Sequence, residues 1–266
     1  MSYTPNLPKQ ALSTPIFVNI SSTQRENFPT SSSSNFRIKL QAPVLFARKI
    51  SLIQANIPYS WFVFNSSTTA PFNARINNHI RFVDSTALPV DCQITPGTYN
   101  INDLMTEMKT QMEAVSPDTF TFTYDLNTLI LTISSSSPNF QLLFAPIAGV
   151  SDTLWYEIGF DNVDTVLGAT QIGVRTVNLT GPFNIYVKLA QIRQPIFDAN
   201  GFNATFSIQN KTSNFGDIIR YSELENYNSV FDIELRNLVY VNVILTSEFG
   251  ELQMNNADWN MVLKFE

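Results

Sequence analysis

Charge is what this sequence has least of. Only 14% of its 266 residues are Asp, Glu, Lys or Arg, against roughly 25% in an ordinary soluble domain. The outside must therefore be covered by Ser, Thr, Asn and Gln, which suits a protein whose faces are taken up by other molecules. One cysteine, Cys92, excludes an internal disulfide, so folding needs no oxidising compartment. One histidine, His79, and one cysteine together exclude a zinc site of ordinary composition. Neither has a neighbouring pattern on which a Ser-His-Asp or Cys-His site is built. Gly-rich phosphate loops are absent. Nine glycines are few for a chain with many turns, so Asn and Asp must supply left-handed turn positions. No run approaches ~18 apolar residues, so no membrane-spanning helix is expected. Residues 1–10 lack the apolar core of a signal peptide, and the expectation is a product made inside the cell and not secreted.

What is present is oily and aromatic. Hydrophobic residues reach 44% and aromatic ones 12%, with 21 Phe against 16 Lys plus Arg. That is enough to bury a core without metals or disulfides. The net charge of −6 argues against a freestanding nucleic-acid binder. The charge is uneven: residues 1–50 hold six basic side chains and one acid, a net of +5, which leaves −11 for 51–266. Lys9, Arg25, Arg37, Lys39, Arg48 and Lys49 are the candidate contact residues of this stretch. The surplus reads either as chance in a polar segment or as an arm facing something anionic. The acid pairs Asp161/Asp164 and Asp232/Glu234 have no further acid spaced to complete a cation loop. They read as solvated strand-face charges rather than a glycosidase or Ca²⁺ site. No enzymatic activity and no cofactor are expected.

Periodicity outlines the fold. Residues 1–12 read as a flexible arm, and 15–20 as a first short strand. Phe36-Arg37-Ile38-Lys39-Leu40 alternates apolar with basic residues, as a half-buried strand does, and a further strand over 49–57 stops at Pro58. Ile101, Leu104, Met105, Met108, Met112 and Val115 form a helical stripe with Asn100 as its N-cap. The three methionines read as core-facing rather than as an adaptable binding face. Phe120, Phe122 and Tyr124, then Leu129, Leu131 and Ile133, alternate at period two and make a hairpin. Further strands are expected at 174–179, 184–189, 203–209, 230–235, 238–246 and 259–265. One helix among ten or eleven short strands gives an all-β antiparallel sandwich. A receptor- or carbohydrate-binding sandwich using Trp61 and Trp155 as stacking platforms is the alternative use of such a fold.

Several segments, in order, resemble one family. They are Ser22-Thr23-Gln24-Arg25-Glu26-Asn27-Phe28-Pro29 with Ser34-Asn35-Phe36-Arg37-Ile38-Lys39-Leu40, then Ile50-Ser51-Leu52-Ile53-Gln54-Ala55-Asn56-Ile57-Pro58. Next come Ile94-Thr95-Pro96-Gly97-Thr98-Tyr99-Asn100-Ile101 ahead of the helix, Ile158-Gly159-Phe160, and Asn178-Leu179-Thr180-Gly181-Pro182-Phe183. Together they are similar to the penton (vertex) and minor capsid proteins of virophages, polinton-like viruses and related large DNA viruses of eukaryotes. The resemblance implies a single jelly-roll antiparallel β-sandwich with an inserted module holding one amphipathic helix and a β-hairpin. The expected boundaries are an arm at 1–35, jelly roll at 36–89 and 166–266, and the insert at 90–165. It also implies a virion protein forming homopentamers at icosahedral five-fold vertices. Its partners would be further copies, the major capsid protein, and minor capsid proteins or a receptor. Major capsid proteins of such viruses carry two jelly rolls in a chain near twice this long, which favours the penton.

Overall fold

A computed structural model of the chain describes residues 14–66, 76–145, 153–192, 196–197, 203–211, 214–225, 230–248 and 250–266. The arm at 1–12, Lys9 included, lies outside the described residues. The chain begins with β1 (Ile16–Ser21) and continues with β2 (Asn35–Pro58), β3 (His79–Val83) and β4 (Pro89–Gln93). Helix α1 (Ile101–Val115) is followed by β5 (Phe120–Asp125), β6 (Ile130–Ser135), β7 (Gln141–Leu142) and β8 (Thr170–Ile172). Then come β9 (Asn184–Leu189), β10 (Ile196–Phe197), β11 (Asn203–Ala204), β12 (Phe206–Gln209) and β13 (Ile218–Ser222). The chain finishes with β14 (Val230–Ser247), β15 (Gly250–Glu251) and β16 (Asn260–Phe265).

Two long strands organise the jelly roll. β2 and β14 pair antiparallel from Asn35↔Ile244 to Ser51↔Val230, with register shifts between Asp232 and Leu235 and between Leu238 and Tyr240. The first half of β2 leads through β14 to β9 and β12, while its second half pairs with β16, and through it β1, and with β13. The two layers face each other where Phe36 meets Trp259 edge-on at 5.7 Å. The strands expected separately at 36–40 and 49–57 are thus one 24-residue strand, and 230–235 and 238–246 are likewise one. Strand alternation fails across the bend of β2 because Leu45 and Phe46 both point outward and Phe46 takes a φ of 54°.

The insert is wider than expected. β3, β4 and β7 form one three-stranded sheet and β5, β6 and β8 another, and neither pairs with the jelly roll. By pairing, the inserted elements run from residue 79 to residue 172, beyond both ends of 90–165. β1 hydrogen-bonds along all of β16, so the arm ends well before residue 35. No strand forms at 174–179. There the N–H groups of Val174 and Arg175 both donate to the Gly159 carbonyl, and that of Val177 to Leu129. Gly159 itself has φ +81, and a Cβ there would stand 2.2 Å from the Arg175 carbonyl oxygen, so only glycine fits.

Helix α1 lies where its stripe requires. Leu104, Met108 and Met112 are fully buried, packed with β4 and β5. The Asn100 Oδ1 accepts from the N–H groups of Asn102 and Asp103, both at 3.0 Å, the cap that its sequence position promised. Beneath the helix, Phe82, Phe120 and Phe140 meet edge-on at 5.4–6.3 Å. Each such pair adds roughly 0.5–1.5 kcal/mol beyond area burial. One hydrophobic cluster runs unbroken from these rings into the jelly roll.

Candidate assembly surfaces

The basic residues of the first fifty divide between the two ends of the sandwich. Pairing sets the insert end by the close of β1, the close of β2 and the start of β16. The far end holds the β2 bend, the start of β14 and Glu266. Arg25 sits at the insert end and is buried, so it does not offer its charge to a neighbour. Its Nη1 donates to Asp258 Oδ1 at 2.7 Å and to the Ser22 carbonyl, its Nε donates to the Ser31 carbonyl, and its plane lies 4.6 Å from the Phe28 ring centroid. Arg37 is half exposed, stacked 3.7 Å over Tyr240 and 3.7 Å from Glu26. Lys39 lies opposite Tyr240 in the β2–β14 register. Arg48 and Lys49 are exposed at the far end, where their N–H groups hold the Glu266 carbonyl at 2.6 and 2.9 Å. A hydrogen bond from Lys264, with the charge of Lys49 behind it, draws the Glu266 carboxyl below its ordinary value.

Beside Arg48 and Lys49 the bend carries exposed apolar side chains that the alternation of β2 did not announce. Leu45 and Phe46 stand out on it, Phe46 at 77% exposure, and Val230 at the start of β14 and Leu224 after β13 are exposed as well. A sequence signal existed only in retrospect, as two consecutive large residues in a strand that otherwise alternates.

The two chain crossings between sandwich and insert are hydrogen-bonded. Tyr59 N–H donates to the Asp217 carbonyl at 2.7 Å and its hydroxyl to the Thr180 carbonyl at 3.1 Å. Burial pushes that phenol up to about 12. Asn77, also buried, ties the first crossing to the insert: its Nδ2 donates to the Val63 carbonyl and to Glu157 Oε1, both at 2.8 Å, and its Oδ1 accepts from Asn65 N–H. Gly181, with φ +71, approaches so closely that a Cβ would lie 3.1 Å from the Tyr59 hydroxyl. With the continuous apolar cluster, these bonds tie the insert to the sandwich.

Most of the residues that could carry chemistry are engaged by partners or buried. His79 Nδ1 lies 3.0 Å from Asp91. Cys92 is buried, and burial with the Asp91 charge pushes its thiol up to about 12, far from a reactive thiolate. Asp161 pairs with Arg175 at 2.9 Å and Asp164 accepts from Ala145 N–H at 2.8 Å. Asp232 and Glu234 are exposed on one side of β14. Among the described residues no three His, Cys, Asp or Glu side chains group as metal ligands. Trp61 is buried rather than a stacking platform, and Trp155 lies beneath the Arg175 guanidinium at 5.2 Å.

The architecture has a counterpart among solved structures. The crystal structure of the mavirus penton protein superposes on 95% of this chain and 99% of its own with a TM-score of 0.52, at 9% sequence identity. The fold is that of a virophage penton. A chain of the Sputnik virophage structure aligns over 94% of this chain and 97% of its own, at 12% identity and a TM-score of 0.48. No family model matches the sequence, and no curated protein matches it. The penton-like fold spans sandwich and insert together, so the module between β2 and β9 is part of the shared plan.

Proposed function

We propose that the chain is the vertex subunit of an icosahedral capsid, closing as a homopentamer at each five-fold position among neighbouring capsid proteins. The observation that carries this reading is the end-to-end likeness in fold and length to the mavirus penton protein. The scarcity of charge supports it, because interface cores are depleted of charged residues. So do the exposed apolar residues at the bend, at the end of the sandwich away from the insert. The reading is of a structural protein of the virion, with no reaction to perform.

The test is identification of the chain in purified particles together with its native mass. A pentamer of a 30.0 kDa subunit has a mass of about 150 kDa. A chain that stays monomeric at high concentration and is missing from particles sinks the reading. Removing residues 1–12 tests the N-terminal stretch on its own: sandwich and ring remain while incorporation into particles falls. Equal incorporation shows that this stretch makes no capsid contact.

A further inference from the structure

A cleft opens where the two crossings meet the insert and the end of β14. Its walls come from the first crossing, from the insert at Tyr156 and Glu157, from the second crossing at Gly181, and from β15 with the residues after it. The room within it is about 60 Å³, space for a few water-sized groups. Ligand sites favour such junctions, where apolar walls carry a small number of converging polar groups. One of those groups has no partner. Trp61 is 2% exposed, and its Nε1–H meets no acceptor among the described residues, although a buried indole N–H ordinarily finds one. Gly181 stands beside it: a Cβ there would lie 3.6 Å from Nε1, so the absence of a side chain leaves the N–H approachable.

The other polar groups of the wall are acids. Glu157 is 5% exposed, and its Oε1 accepts from Asn77 Nδ2 at 2.8 Å. Glu251 brings a second carboxylate, half-buried and braced by Ser34 Oγ at 2.9 Å. Among the described residues no Lys or Arg lines the cleft. Phe62, backed by Phe215 at 5.9 Å, and Tyr156 supply apolar surface beside these groups. The wall thus offers a buried donor to an acceptor and carboxylate oxygens to donors, in a setting that repels anions.

We infer that this cleft binds the hydroxyl edge of an uncharged sugar at the end of a glycan. A hydroxyl is donor and acceptor at one oxygen, so one such group accepts from the Trp61 N–H while it or its neighbour donates to Glu157. An ammonium or guanidinium group satisfies the carboxylates but has no acceptor for the indole. Phosphate, sulfate and carboxylate groups satisfy the indole but meet two carboxylates and no cation. A space of about 60 Å³ admits only the edge of the sugar, and the C–H face of its ring stays outside, against Phe62 and Tyr156. Trp61 acts through its N–H from within the core and not as an exposed stacking platform. The site lies within one subunit, so it does not depend on the ring proposed above.

The experiment probes a printed array of neutral, sialylated and sulfated glycans with the labelled full chain. Methyl glycosides of galactose, mannose, fucose and N-acetylglucosamine are then titrated under saturation-transfer NMR. The expected result is binding to glycans that end in one neutral sugar and none to sialylated or sulfated ends. Trp61→Phe keeps an aromatic ring, loses the donor, and weakens the sugar at least about tenfold. Gln253→Arg, at a half-buried wall position, covers the mouth and removes binding with the core untouched. One monodeoxy analogue of the bound sugar is about tenfold weaker than its parent on the wild type and equal to it on Trp61→Phe, a coupling that a loosened fold does not produce. Absence of binding to every neutral glycan overturns the site, as does binding that survives both substitutions. Preference for charged glycans overturns the uncharged ligand. A trilysine peptide that binds where the glycosides do not overturns the saccharide in favour of a basic protein segment. Native mass, measured on the same samples, keeps the two readings apart: a sugar-binding monomer overturns the pentamer alone, and a ring that binds no sugar overturns this site alone.

Discussion

Arg25 and Asp258 are 233 positions apart in the chain and 2.7 Å apart in space. Between them they tie the turn after β1 to the approach to β16, with Ser22 Oγ donating to the same carboxylate oxygen at 2.7 Å. Removing the arginine leaves two carbonyls and a partly buried carboxylate short of donors. The cost is about 2–3 kcal/mol, which for a domain of this size lowers Tm by roughly 4–12 °C. Arg25→Ala is therefore expected to show that drop in a thermal melt, with the secondary structure of the surviving fold unchanged. A Tm within a degree of wild type contradicts the structural role. The sequence placed Arg25 among free basic residues because nothing local marks a partner so far along the chain. The Phe28 that stacks under it was in view, three residues on, but an Arg-x-x-Phe spacing becomes a contact only once the turn is folded.

Elements with a short repeat were legible and elements that change layers were not. Helix α1 appeared with its cap and its buried face, and the β5–β6 hairpin with its rows, because each is a local pattern packed on one side. β2 was broken in two because a strand passing between layers loses its alternation, and β8 escaped because only Gln171 of its three residues is buried. The bend makes its own prediction. Phe46 holds a φ of 54°, a region that costs a non-glycine residue roughly 1–2 kcal/mol, and its exposed ring recovers little burial in a lone subunit. Glycine removes that strain but gives part of it back in chain entropy. Phe46→Gly is thus expected to stabilise the dilute subunit by about 0.5–1 kcal/mol, read as a small rise in Tm, and a clear fall places the ring in a packed site. Helix α1 makes another. The Thr95 N–H, followed by the Thr95 and Gln111 side chains, donates to the Glu107 carboxylate and draws it below its ordinary value. A carboxylate with a depressed folded pKa stabilises fully above its unfolded value, and that stability is lost as pH falls through the folded one. Stability should decline as pH drops below about 4.5, and Glu107→Gln should flatten part of that decline. Parallel acid melts of the two proteins measure it, and identical slopes contradict the contribution.

At the scale of the molecule the two ends have different electrostatic tasks. The sandwich with its termini is nearly neutral, at +1 outside residues 59–183, while residues 59–183, the insert with its crossings, carry −7. In the proposed ring five such inserts stand side by side, and their mutual repulsion opposes closure while apolar and uncharged contacts drive it. Salt acts on the first and hardly on the second. Between 0.01 M and 0.15 M ionic strength the screening length shortens from about 30 Å to about 8 Å, so repulsion between neighbouring inserts is largely removed. The ring is therefore expected to tighten as salt rises across this range, seen as a lower dissociation concentration in sedimentation or single-particle mass measurements. An interface held by opposite charges behaves the other way, because its attraction is what salt screens. Should the ring loosen with added salt, the acidic inserts are not what subunits must overcome to assemble, and the contact runs through basic residues such as Arg48 and Lys49 at the far end instead.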